Sequence, residues 1–84
     1  MPYKRLMAAK EKSVGTKQTL KALKNGLAQV VYVAADAEKH ISEPVVRLCE
    51  EQSTPVIQVD SMKNLGKACG IKVECAVAAV IKES

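Results

Sequence analysis

The sequence predicts an α/β fold: a three-layer α-β-α sandwich around a small mixed sheet. Three observations point to it. Helix-like and strand-like segments alternate along the chain, so crossovers place helices on both faces of a sheet. Apolar residues make up 48% of the sequence, yet there is no Phe or Trp, and Tyr3 and Tyr32 are the only aromatics. Small aliphatic side chains of that kind pack well in layers around a sheet. Finally, 84 residues are one domain's worth of chain, enough for a modest core without staples. No internal repeat, low-complexity tract or linker divides residues 1–84, which read as a single domain.

Each element follows from its local pattern. YKRLMAAKEK, from Tyr3 to Lys12, favours a helix with Leu6 and Met7 facing inward, and Ser13-Val14-Gly15 then serves as a link. A second helix is expected from about Thr16 to Asn25. At about 100° per residue its Leu20, Leu23 and the following Leu27 fall within about 60° of one another as a buried stripe. Asn25-Gly26 stops that helix, glycine tolerating the left-handed conformation needed there. The β-branched run AQVVYVAA (28–35) suits a strand covered on both faces. HISEPVVRLCEEQS (40–53) reads as a helix with Ser42 as N-cap, Pro44 in the first turn, and Val45, Leu48 and Cys49 facing inward. PVIQV (55–59) is a strand. SMKNLGKACG (61–70) is a short helix capped by Ser61 and ended by Gly70, and AVAAVI (76–81) is the last strand.

Charge is distributed unevenly. Residues 1–35 carry seven basic side chains against Glu11 alone, a net of +6, whereas residues 36–84 carry six basic and eight acidic ones, a net of −2. A basic end of this kind suits a polyanion, although a lysine-rich solvated surface gives the same count. Catalysis lacks a site. His40 is the only histidine, and neither a G-x-S-x-G elbow, a G-x-G-x-x-G turn nor a phosphate loop occurs. LGKACG has a Gly-Lys pair without the phosphate-loop spacing. Cys49, Cys69 and Cys75 match no zinc spacing, so neither a metal nor another cofactor is expected and the thiols read as reduced. The absence of a signal peptide, a membrane-length apolar run or a lipidation motif makes the expectation a cytoplasmic protein with no membrane partner. No dimer seam is visible, which makes a monomer the expectation.

The stretch VGTKQTLKALKNG (14–26) is where binding chemistry remains. A helix N-terminus offers unpaired N–H groups and about half a positive charge. Lys17 in the first turn therefore costs a free helix a few tenths of a kcal/mol, and repays it only when an anion or an acceptor-rich edge is bound. Gly15 lets a ligand approach the backbone, and Thr16 and Gln18 add a hydroxyl and an amide. Lys17 and Lys21, one turn apart, form a comb suited to guanine O6 and N7, with Gln18 beside them.

With GTKQTLKAL…NG, the spacing to VVYVAADA and the late LGKACGIKVECAVAAV, the whole chain resembles the kink-turn RNA-binding ribosomal proteins of the seven-Ae/thirty-e superfamily, in particular its short bacterial members. That resemblance implies an α-β-α sandwich that binds a short RNA bulge followed by sheared G·A pairs, where the kink opens a groove that A-form RNA otherwise hides. It also implies a ribosomal or regulatory RNA as partner. The family's G-x-N-E-x-x-K pattern falls on Gly15, Thr16, Lys17, Gln18, Thr19, Leu20 and Lys21. Gly15 is then the close backbone approach, Thr16 supports the turn, and Lys17, Gln18 and Lys21 meet guanine edges. The loop IKVECA (71–76) covers the bulge: Ile71 and Val73 pack on bases, Lys72 lies near phosphate, and Glu74 and Cys75 complete the contact. Two departures stand out. Lys17-Gln18 replaces Asn-Glu, so Gln18 lacks the charge that strengthens acceptance from guanine N–H groups. The loop lacks the Ser-Arg-Pro of many relatives, and its Glu74 faces phosphate with the wrong sign. The alternative reading is a protein-interaction adaptor of the same fold, docking through the helix that carries Glu43, Glu50 and Glu51.

Overall fold

A computed structural model describes residues 3–83, which form α1 (Lys4–Ala8), β1 (Glu11–Val14), α2 (Thr16–Lys24), β2 (Val30–Ala34), α3 (Lys39–Gln52), β3 (Val56–Val59), α4 (Met62–Ala68) and β4 (Val77–Lys82). The sheet order is β1-β4-β2-β3. β4 runs antiparallel to both of its neighbours, and β2 runs parallel to β3, because only that pair is joined through a crossover helix, α3. The last strand in sequence thus enters the middle of the sheet.

Strand alternation divides the core in two. Val30, Tyr32 and Ala34 of β2, with Ala78 and Val80 of β4, face Leu6 of α1 and Leu65 and Ala68 of α4. Val31 and Val33, with Val77 and Ala79, face Leu23 of α2 and Val45 and Cys49 of α3. Both central strands are therefore buried on two faces, which is why they read as unbroken apolar runs. The result is the α-β-α sandwich with a mixed sheet that the sequence predicts.

The N-terminal segment departs from expectation. The helix stops at Ala8, where Ala9 turns extended (ψ 139°), and residues 11–14 pair with the open edge of β4, Val14 opposite Ala78. The segment taken as helix tail and link is an edge strand, and local helix propensity has yielded to backbone pairing across the chain. Met7 is 62% exposed rather than inward; Leu6 alone of that pair is buried. In α2 the buried face is Thr19, Ala22 and Leu23. Leu27 is 51% exposed because the chain turns at Gly26 (φ +68°), with Leu27 N–H donating to Ala22 O at 2.9 Å. Helix α3 begins at Lys39, with Glu38 in the cap position, so Ser42 is not the N-cap and Pro44 sits inside the helix. Val45 and Cys49 point inward as expected. Ser61 does cap α4, its Oγ accepting from Asn64 N–H at 3.1 Å.

Candidate nucleic-acid interface

Gly15 holds φ +95° and ψ 160°, a region essentially closed to residues with a Cβ. A Cβ there would meet nothing within 4 Å, so the backbone conformation, not crowding, requires the glycine. Its N–H donates to Val77 O at 2.9 Å and its carbonyl accepts from Thr19 N–H at 3.1 Å. These bonds tie the start of α2 to the start of β4. Thr19 is buried, and its hydroxyl shares a 2.9 Å hydrogen bond with that of Ser13, which fixes α2 against β1. No side chain caps α2 and no acid lies in its first turn. The N–H groups of that turn, together with the positive end of the helix dipole, are directed outward.

From this turn Lys17, Gln18 and Lys21 project into solvent. With Leu20, Lys24 and Asn25 they line a shallow hollow of about 450 Å³. Among the described residues the ion pairs use Arg5 with Glu83, His40 with Glu38 and Arg47 with Glu43. The lysines of α2 take no part in them.

The loop after α4 reaches the same place from the other side. Gly70 (φ +78°) turns the chain, Ile71 N–H donates to Gly66 O at 3.1 Å, and Cys75 N–H donates to Met62 O at 3.0 Å. The loop lies so close to α4 that a Cβ on Gly66 would stand 2.2 Å from Val73 O. Val73 is 70% exposed, and Lys72 and Glu74 are exposed with it. Ile71 is half-buried against the core on the α4 side, and Cys75 is 3% exposed. Those two side chains pack inward rather than presenting themselves to a base. The Cys75 thiol donates to Val77 O at 3.0 Å, the same carbonyl that holds Gly15 N–H. Two segments separated by more than half the chain thus meet at one atom.

Gly66 and Val77 are site-building residues that sequence reasoning passed over. A glycine inside a helix costs about 1 kcal/mol relative to alanine, which is itself a signal that something packs there. Val77 acts through its carbonyl and leaves no side-chain signal.

The sequence pattern of the Ribosomal protein L7Ae/L30e/S12e/Gadd45 family matches residues 3–84. The chain belongs to this family. It is 48% identical over 82 residues to an RNA-binding protein of Geobacillus sp. (strain WCH70), covering 98% of this chain and 100% of that relative. It is 46% identical over 82 residues to RNA-binding protein YbxF of Geobacillus stearothermophilus, with the same two coverages. Among solved structures, the 15.5kD RNA binding protein of Giardia lamblia superposes with a TM-score of 0.79 at 32% identity. The match takes in 84% of this family member and 60% of the Giardia chain.

Proposed function

We propose that this protein is a non-catalytic RNA-binding protein that recognises and stabilises kink-turns in structured RNA, ribosomal or regulatory. The observation that carries the reading is the convergence at Val77 O: an uncapped, glycine-led helix start bearing Lys17, Gln18 and Lys21 stands beside a loop that exposes Val73. The names of the relatives, RNA-binding proteins all, support the RNA.

Each part has a chemical task. The first-turn N–H groups and Lys17 meet phosphate or acceptor atoms, in the manner of a helix-terminus anion site. Lys21 donates to guanine O6 and N7, and Gln18 serves an adjacent edge as both donor and acceptor. Val73 gives an unstacked bulge base an apolar surface, and Lys72 lies ready for its phosphate. Nothing in this scheme requires a bond to be made or broken.

The test is a titration of the protein against a fluorescent kink-turn RNA and against a control whose sheared G·A pairs are replaced by Watson–Crick pairs. Both are measured near physiological salt, because non-specific binding is strongly salt-dependent. Selective binding of the kink-turn is expected. Equal affinity for both RNAs would reduce the site to a general basic patch, and binding to neither would favour the adaptor.

A further inference from the structure

Strand β1 is an edge of the sheet, and one side of its backbone is open. Gly15 N–H donates to Val77 O, and bonded pairs alternate along an antiparallel ladder. Ser13, opposite Ala79, is therefore the next residue turned toward β4. Lys12 and Val14 aim their N–H and C=O groups the other way, where no further strand lies. Helix α2 runs beside this edge, and a hollow of about 460 Å³ separates the two. Lys12 and Val14 line one wall and Gln18, Lys21 and Asn25 the other, while Leu27 and Ile81 supply apolar surface. Among the described residues, no acidic side chain lines it. Gln18, Lys21 and Asn25 border both this space and the hollow described above, so the two are continuous. The kink-turn scheme uses none of Lys12, Val14, Asn25 and Leu27.

We propose that the hollow between α2 and β1 is a second RNA subsite that holds one unstacked adenine nucleotide beside the kink, its role on RNA resting on the function proposed above. Unstacked bases are read on their Watson–Crick edges. On that edge adenine carries an exocyclic amine, a donor, next to a ring nitrogen, an acceptor. The open backbone of β1 offers the complement: Lys12 C=O accepts from the amine and Val14 N–H donates to the ring nitrogen. Leu27 and Ile81 give the base face an apolar surface, and the Asn25 side chain adds an amide for a second edge.

Charge and size choose the occupant. An extended peptide would satisfy the same strand edge, but it brings no anion for a wall that carries Lys12 and Lys21 and no acid. A nucleotide brings its phosphate. The volume falls within the range of about 300–1,000 Å³ usual for small-ligand pockets. The subsite also accounts for Leu27, which is 51% exposed at the far end of the lysine-bearing helix.

The test titrates the isotope-labelled full chain with adenosine monophosphate, uridine monophosphate and inorganic phosphate, and follows amide shifts by NMR. Adenosine monophosphate is expected to shift the Lys12 and Val14 amides and the Asn25 side chain, with a dissociation constant on the order of 1 mM. Uridine monophosphate, which lacks the amine, should bind about tenfold more weakly, and phosphate should leave Val14 unmoved. Leu27→Ala, at an exposed position, should weaken the adenine nucleotide about threefold. Unmoved Lys12 and Val14 amides, or equal shifts with all three probes, would overturn the subsite. So would broadening at Val14 that grows with protein concentration in the absence of nucleotide, which would assign the edge to a second copy of the chain. On RNA, single adenosines left unpaired at both ends of a short-stemmed kink-turn should raise affinity about threefold for the parent and leave Leu27→Ala unchanged. Nucleotide shifts without that gain would refute the role on RNA. Nucleotide shifts with no preference for the kink-turn over its Watson–Crick control would instead refute the function proposed above and leave the nucleotide site standing.

Discussion

Replacing Gly66 with alanine opposes two effects of different sign. Alanine is the better helix former by about 1 kcal/mol, so if propensity alone counted, the variant would melt higher. The structure says otherwise. The new Cβ would lie 2.2 Å from Val73 O, 3.3 Å from Val73 C and 3.5 Å from Cys75 N. Real Cβ atoms do not come within 3.0 Å, so the loop must retreat by about 0.8 Å, and the nearest atom is a backbone carbonyl that has no rotamer to change. Retreat strains Ile71 N–H to Gly66 O and Cys75 N–H to Met62 O. Overpacking of this kind costs about 1–3 kcal/mol, and one weakened hydrogen bond adds about 1 kcal/mol. After the propensity gain, a net loss of about 1–3 kcal/mol remains. For a chain of this size that lowers the melting temperature by roughly 5–20 °C. Thermal unfolding followed by circular dichroism reads it directly. A variant that melted higher than the parent would refute the close approach of loop and helix, and with it the mutual placement of the two halves of the interface.

Other perturbations separate fold from binding. Lys21→Ala, on an exposed face, should leave stability within about 0.5 kcal/mol while weakening kink-turn binding by about 1–3 kcal/mol; an unchanged dissociation constant would remove Lys21 from the site. Gly15→Ala should cost about 1–3 kcal/mol of stability through its backbone conformation, measurable by urea unfolding, and a neutral result would mean that φ +95° is not required. Alkaline titration at 295 nm should find both tyrosines ionising above the usual phenol range, which burial raises in each case, with Tyr3 pushed up to about 12 with help from its hydrogen bond to the Asp60 carboxylate. Because the folded value exceeds the unfolded one of about 10, the stabilisation is complete below pH 10 and is lost as pH rises toward 12. The urea midpoint should therefore fall between pH 10 and pH 12, and fall less in Tyr3→Phe; identical slopes in the two proteins would exclude Tyr3 as the source.

What the sequence determined by itself is local and periodic. The apolar run of β2, the stop at Gly26, the Ser61 cap and the inward face of α3 each depend on residues within one or two turns, and each could be read without knowing the rest. So could Gly15 ahead of Lys17, because an acid-free helix start behind a glycine is a local statement about backbone and charge. What only the tertiary structure decided involves partners far apart in the chain. Residues 11–14 have helix-favouring neighbours and become a strand because β4, more than sixty positions later, offers an unpaired edge. Leu27 keeps the helical spacing of a core residue, yet the turn at Gly26 leaves it in solvent. Gly66 beneath Val73 and the shared carbonyl of Val77 arise from one chain crossing another. Periodicity reports which face of an element is apolar; it carries no information about which distant backbone will lie against it, and it is that crossing which assembles the candidate interface.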